Sequence, residues 1–210
     1  MVRVKICGIT NEADALAAIY AGADALGFIL YPKSPRYINP DKAWDFACDL
    51  PPYVQRIGVT VNLDAEDIYN IEQIALFDAW QLHGDEPPEV CEALDPRCLI
   101  KALHLPLNKH HADVEEYLVN AFLLDTPSKD FGGTGKTFDW NLALDFKKSY
   151  PLPLVLSGGL NLENAEEAIR TVQPYAVDIS SGVEIKPGKK DHAKMKDFIQ
   201  LCKSVKYDSK

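Results

Sequence analysis

The sequence predicts an α/β protein: a single compact (β/α)8 barrel with parallel strands over residues 1–210. Three observations lead there. Short β-branched runs alternate with helical periodicity from end to end, with no low-complexity segment or long linker between them. Eight strand–helix units fit into the 210 residues, and a strand of ~5, a helix of ~11 and two connections of ~4–6 fill each unit almost completely. Strands alternating with helices imply right-handed parallel crossovers. Eight of them favour closure into a barrel over an open doubly wound sheet, which usually has fewer strands for this length.

Val2–Cys7 reads as the first strand. Thr10-Asn11 opens a helix that places Leu16, Ile19, Tyr20 and Ala23 on one face. Ala25–Leu30 is the second strand, and Asn39-Pro40 supplies an N-cap and a first-turn proline for the second helix. Further strands are predicted at Gln55–Val59, Ala79–Leu82, Leu99–Leu103, Ala121–Asp125, Leu154–Leu156 and Ala176–Ile179. Helices fit between them at 64–76, 87–94, 110–119, 139–148 and 161–171, Asn161 serving as an N-cap. In the last helix Met195, Phe198, Ile199, Cys202 and Val205 recur at helical spacing.

Composition excludes several function classes. Lys and Arg number 22 against 31 Asp and Glu, a formal charge of −9 with pI near 5.0. A basic stripe is what phosphate backbones require, so nucleic-acid binding is not expected. The longest apolar stretch, Ala15 to Leu30, is cut by Asp24 and falls short of the ~20 residues of a membrane span. The chain opens directly into a strand pattern, so no secretory signal is expected. Cys7, Cys48, Cys91, Cys98 and Cys202 are odd in number and widely spread, which fits free thiols in a cytoplasmic protein rather than a disulfide framework.

In such a barrel the reactive groups sit at the C-terminal strand ends. The seventh strand ends in Ser157-Gly-Gly-Leu160 and the eighth in Ser180-Ser-Gly-Val183. Glycines let backbone N–H groups approach an anion, and this pair of loops is the usual phosphate site of barrels. Two ordinary tight turns are the alternative. Cys7, ending the first strand, is either an inert thiol or a base that needs a nearby cation or helix end to ionise. Asp125 ends an apolar run before a long loop, where partial burial can raise a carboxyl pKa and make it a proton donor. Arg36, in a loop stiffened by two prolines, is suited to holding a carboxylate bidentately, or is a solvated loop arginine. His83 ends the fourth strand and is either a structural histidine or a substrate contact. Local positive potential for an anionic ligand would come from Arg36, Lys5 and helix ends.

Two patterns are set aside. Gly132-Gly-Thr-Gly-Lys-Thr137 lies between a strand and a helix as a phosphate-binding P-loop would, but Asp130 stands where that motif has its first glycine. The spacing of Cys91, Cys98, His104, His110 and His111 matches no standard zinc pattern. No metal is expected.

Lys5-Ile-Cys-Gly-Ile-Thr10, Gly27-Phe-Ile-Leu-Tyr-Pro-Lys-Ser-Pro-Arg-Tyr37, Gln81-Leu-His-Gly84, Leu123-Leu-Asp125, Gly132-Gly-Thr-Gly-Lys-Thr-Phe-Asp-Trp140, Ser157-Gly-Gly-Leu160 and Asp178-Ile-Ser-Ser-Gly-Val-Glu184 together resemble the signatures of the phosphoribosylanthranilate isomerase family, in order and spacing, from residue 3 to about residue 191. One departure is Ser157, where the family more often has alanine; its hydroxyl is expected near the phosphate. The resemblance implies a cofactor-free Amadori rearrangement in tryptophan biosynthesis, acting on a small phosphosugar, by a monomer or homodimer. It assigns Asp125 as general acid and Cys7 as general base. Arg36 would hold the substrate carboxylate, and the backbone at Gly158, Gly159, Ser181 and Gly182 the phosphate. The histidine-pathway ribonucleotide isomerases perform the same rearrangement but typically use two aspartates; here Cys7 takes the first position.

Overall fold

A computed structural model describes residues 1–107, 114–126 and 139–207. Eight parallel strands close into a barrel in sequence order. They are β1 (Arg3–Cys7), β2 (Ala25–Ile29), β3 (Gln55–Thr60), β4 (Ala79–Leu82), β5 (Leu99–His104), β6 (Ala121–Asp125), β7 (Leu154–Leu156) and β8 (Ala176–Ile179). Closure is made by β8 against β1, with Asp178 opposite Lys5. Every strand lies within one residue of its sequence-predicted bounds at either end.

Strand alternation divides the chain into two surfaces. Ala25, Ile57, Val59 and Ala79 pack inside the barrel with Cys7, and Ala102, Leu123, Val155 and Ala176 form a second interior cluster. Their neighbours Val4, Ile6, Leu26, Phe28, Leu103 and Leu124 point outward into the core beneath the helices.

The helices follow their capping signals. Asn11 caps α1 (Glu12–Ala21) by accepting from Asp14 N, and Asn39 caps α2 (Pro40–Ala47) by accepting from Asp41 N and Lys42 N. Then come α3 (Ala65–Glu72), α4 (Pro88–Glu92), α5 (Trp140–Ser149), α6 (Ala165–Val172) and α7 (His192–Ser204). Two expectations are corrected. Among the described residues, the predicted helix 110–119 contains only a 3-10 turn, Val114–Glu116. Val114 and Tyr117 are buried three apart and then Tyr117, Val119 and Ala121 two apart, so the chain goes from a three-residue turn straight into an extended entry to β6. Second, α6 starts at Ala165 rather than at Asn161, because Asn161 closes a turn by accepting from Glu163 N and Asn164 N.

A hairpin of β9 (Glu184–Lys186) and β10 (Lys189–Lys190) follows β8 and was not anticipated. Behind the rim, Lys101 and Glu86 form a fully enclosed ion pair at 2.9 Å. Glu86 also accepts from Asn62 N and Gly84 N, tying the ends of β3, β4 and β5 together. Breaking such a pair leaves a buried charge, so Lys101→Met is expected to cost ~3–5 kcal/mol. It would appear as a lowered denaturant midpoint at unchanged slope.

Candidate active site

A cavity of about 490 Å³ opens at the C-terminal rim, within the size range of ligand sites. Cys7, Arg36, His83 and Asp125 line it, together with Ser157–Gly159 and Ser180–Gly182. Residues far apart in sequence meet there because parallel strands bring all their carboxyl ends to one rim.

Cys7 ends β1 and is followed by Gly8 at φ +76. A Cβ at Gly8 would lie 2.8 Å from Arg36 Cδ and 3.1 Å from Ser180 Oγ, so glycine lets the arginine loop close onto the strand end. On β2, a Cβ at Gly27 would fall 2.7 Å from Cys7 Sγ and 2.9 Å from Lys5 Nζ. The thiol and the ammonium thus converge over one missing side chain. Lys5 is buried in the barrel interior beside Cys7 and is not among the residues that line the cavity. It pairs with Asp178 at 3.0 Å. Burial opposes its charge, but the Asp178 carboxylate and the Cys7 sulfur together outweigh burial and hold the ammonium above the usual lysine range. Burial pushes the Cys7 thiol up; Lys5 works against that rise, Asp178 adds to it, and Lys190 opposes it.

Asp125 ends β6. Its Oδ1 accepts from Thr126 N at 2.7 Å and its Oδ2 meets His83 Nε2 at 3.2 Å. Gln81 Nε2 reaches His83 Nδ1 at 2.7 Å. An amide N–H donating to Nδ1 leaves Nε2 as the protonated nitrogen facing the carboxylate. Burial favours the neutral acid, yet donation from His83 and from Thr126 N–H outweighs it and holds Asp125 below the usual carboxylate range. This reverses the expected raised pKa. His83, His104 and Asp125 have donor atoms within 4.8 Å of one another, but Gln81 and Asp125 already engage both nitrogens of His83. Hydrogen bonding accounts for His83 standing beside Asp125, and an edge-to-face ring contact for His104 beside His83. Cys91 lies elsewhere, its thiol pushed up by burial to about 11. His110, His111 and the Gly132–Thr137 motif fall outside the described residues.

Arg36 enters the cavity with one edge already occupied. Its Nε and Nη2 hold Glu184 of the hairpin at 2.8–3.1 Å, and Glu184 also accepts from Lys190 Nζ at 2.9 Å. The bidentate edge expected for a ligand carboxylate is therefore spent on Glu184. Two cations and one carboxylate leave a local charge of +1 beside the cavity, so a single ligand carboxylate would neutralise the group. Lys190 further donates to the carbonyls of Cys7 at 2.6 Å and Ser180 at 3.2 Å.

Across the rim, Gly158 and Gly159 both have positive φ. A Cβ at Gly158 would lie 2.5 Å from Thr126 Oγ1, and one at Gly182 would lie 2.3 Å from Leu160 O. Backbone therefore lines this side of the cavity at close quarters. Ser157 Oγ, expected near an anion, instead donates to Asp178 Oδ2 at 3.3 Å. Sequence reasoning missed Gln81, Asp178, Ser180, Glu184 and Lys190 as site residues. Asp178 had a signal: an acid inside the apolar run Ala176–Ile179, at the alternation of inward positions.

A family model described as N-(5'phosphoribosyl)anthranilate (PRA) isomerase matches residues 4–201. The chain belongs to this family. A Thermotoga maritima N-(5'-phosphoribosyl)anthranilate isomerase is 49% identical over 98% of this chain and 100% of the relative. The crystal structure of a phosphoribosylanthranilate isomerase in complex with reduced 1-(o-carboxyphenylamino)-1-deoxyribulose 5-phosphate is 45% identical. It covers 98% of this chain and 100% of its own, with a TM-score of 0.85. A structure of monomers generated from the dimeric Thermotoga maritima enzyme is 45% identical over the same shares, with a TM-score of 0.84. The phosphoribosylanthranilate isomerase motifs at the ends of β1, β2, β4, β6, β7 and β8 are the ones that converge on the cavity. No helix of the described residues is long and apolar enough to cross a membrane.

Proposed function

We propose that the chain converts N-(5'-phosphoribosyl)anthranilate to 1-(2-carboxyphenylamino)-1-deoxyribulose 5-phosphate, a step of tryptophan biosynthesis, with Asp125 as general acid and Cys7 as general base. The observation that carries this reading is that Cys7 on β1 and Asp125 on β6 face one cavity from opposite sides. An isomerisation needs a proton given at one atom and taken at another, and two such groups supply it.

Asp125 protonates the furanose ring oxygen, the C1–O bond breaks, and its electron pair leaves on that oxygen as the Schiff base forms. The Cys7 thiolate then removes the C2 proton to give an enolamine, which tautomerises to the ketone. Atoms balance, with no oxidant or reductant. Asp125, held below the usual carboxylate range by its hydrogen bonds, takes up its proton from solvent as substrate binds, because a phosphate and a carboxylate entering the cavity raise the cost of a further negative charge and favour the neutral acid. His83 Nε2–H donates to Oδ2 and orients the carboxyl group.

Arg36 offers its remaining N–H groups to the anthranilate carboxylate, while the backbone at Gly158, Gly159, Ser181 and Gly182 receives the phosphate. The Ser180 hydroxyl, buried without a protein partner among the described residues, adds a polar group to that wall. Turnover of freshly generated phosphoribosylanthranilate tests the function; a folded protein that leaves it unchanged refutes the reading. Arg36→Met is expected to raise KM with kcat nearly unchanged, since ground state and transition state carry the same carboxylate. A fall in kcat at constant KM would count against simple anchoring. Of monomer and homodimer, the dimeric relative favours the homodimer, which light scattering would decide.

A further inference from the structure

We propose that Ser157 is a positioning residue that sets the basicity of Cys7 through Asp178 and Lys5. The inference rests on the reading of Cys7 as the base. Its three links are all buried: Ser157 is 8% exposed, Asp178 5% and Lys5 3%. Ser157 Oγ donates to Asp178 Oδ2 at 3.3 Å, and Lys5 Nζ donates to the other oxygen, Oδ1, at 3.0 Å. The Lys5 ammonium and the Cys7 thiol then share the space over Gly27, where no Cβ intervenes.

The direction of the effect follows from charge. A hydroxyl donating to a carboxylate disperses its negative charge. That weakens two actions of Asp178 on the base: its hold on Lys5, and its own repulsion of a thiolate. Both changes favour ionised Cys7. The other groups around the thiol fit the same account. Lys190 of β10 lies over the Cys7 carbonyl, with Glu184 and Arg36 beyond it. The β2, β3 and β4 walls contribute Ala25, Ile57, Val59 and Ala79, which carry no charge. The Asp125–His83 pair lines the same cavity from β6 and β4. The Lys5–Asp178 link is thus the route by which a neutral side chain two strands away reaches Cys7. Alanine at 157 would keep the packing and remove only the donor.

The test is a pH titration of Cys7 by ultraviolet thiolate absorbance, beside the pH profile of kcat/KM. It uses protein with Cys48 and Cys98 replaced by serine. Cys91 and Cys202, pushed by burial to about 11 and about 12, stay silent over the working range. Ser157→Ala is expected to raise the Cys7 midpoint by about half a pH unit, which is roughly threefold less thiolate at neutral pH. The basic limb of kcat/KM should move with it. Ser157→Thr, which keeps the donor, should restore the wild-type midpoint. Lys5→Met should raise the midpoint further and shrink the effect of Ser157→Ala to the part carried by direct repulsion from Asp178. An unchanged midpoint in Ser157→Ala, or the same shift in the Lys5→Met background, overturns the proposal. A shifted titration with an unshifted kcat/KM profile would instead refute Cys7 as the base and leave the control of its ionisation by Ser157 standing.

Discussion

Asp125→Asn is expected to lower kcat by ~10²–10⁴-fold, the contribution usual for a positioned general acid. The amide has the shape of the carboxyl group. Its oxygen can still accept from Thr126 N–H or from His83 Nε2–H, the two contacts that fix Asp125 at the end of β6. What it cannot do is pass a proton to the ring oxygen. The loss should therefore fall on kcat, with affinity for a product analogue changed only a few-fold. Single-turnover kinetics and analogue titration would separate the two. A variant that keeps more than about a tenth of wild-type kcat would place the acid elsewhere.

Cys7→Ala should be as damaging, by ~10²–10⁴-fold, because among the described residues no other thiol lines the cavity. Its pH dependence carries a sign that can be checked. Burial raises the folded pKa of Cys7 above that of a free thiol, and Lys5 only partly offsets the rise. The neutral thiol therefore dominates at neutral pH, and kcat/KM of the wild type should climb as pH rises toward the folded value. Cys7→Ala should lack that limb. A rate independent of pH through the alkaline range in the wild type would exclude the thiolate as base.

The barrel was legible because its strands are short apolar runs with sharp ends. Gln55–Thr60 and Ala121–Asp125 are bounded by turn-forming or polar residues, so boundaries could be read closely. The stretch before β6 was not, because Leu118 is apolar yet half exposed. The site divides the same way. Cys7, Arg36 and Asp125 were visible as polar or reactive residues at strand ends. Their partners were not, because ion pairs such as Arg36–Glu184 join residues 148 apart, and nothing local encodes such a pairing. This is also why the pKa of Asp125 was misjudged: burial was foreseen, His83 and Thr126 N–H as its donors were not.

The hairpin after β8 has a consequence for how the protein is made. Lys190 grips the carbonyl of Cys7, Asp178 grips Lys5, and Glu184 grips Arg36, so segments more than 140 residues apart meet around the base and the carboxylate clamp. A ribosome releases Cys7 and Arg36 well before Glu184 and Lys190. Until then the nascent chain carries the reactive thiol and the arginine without the groups that hold them, however much of the first six strands has collapsed. The active site cannot mature gradually behind the tunnel exit; it is assembled only once the hairpin has emerged, after the strand that closes the barrel against β1.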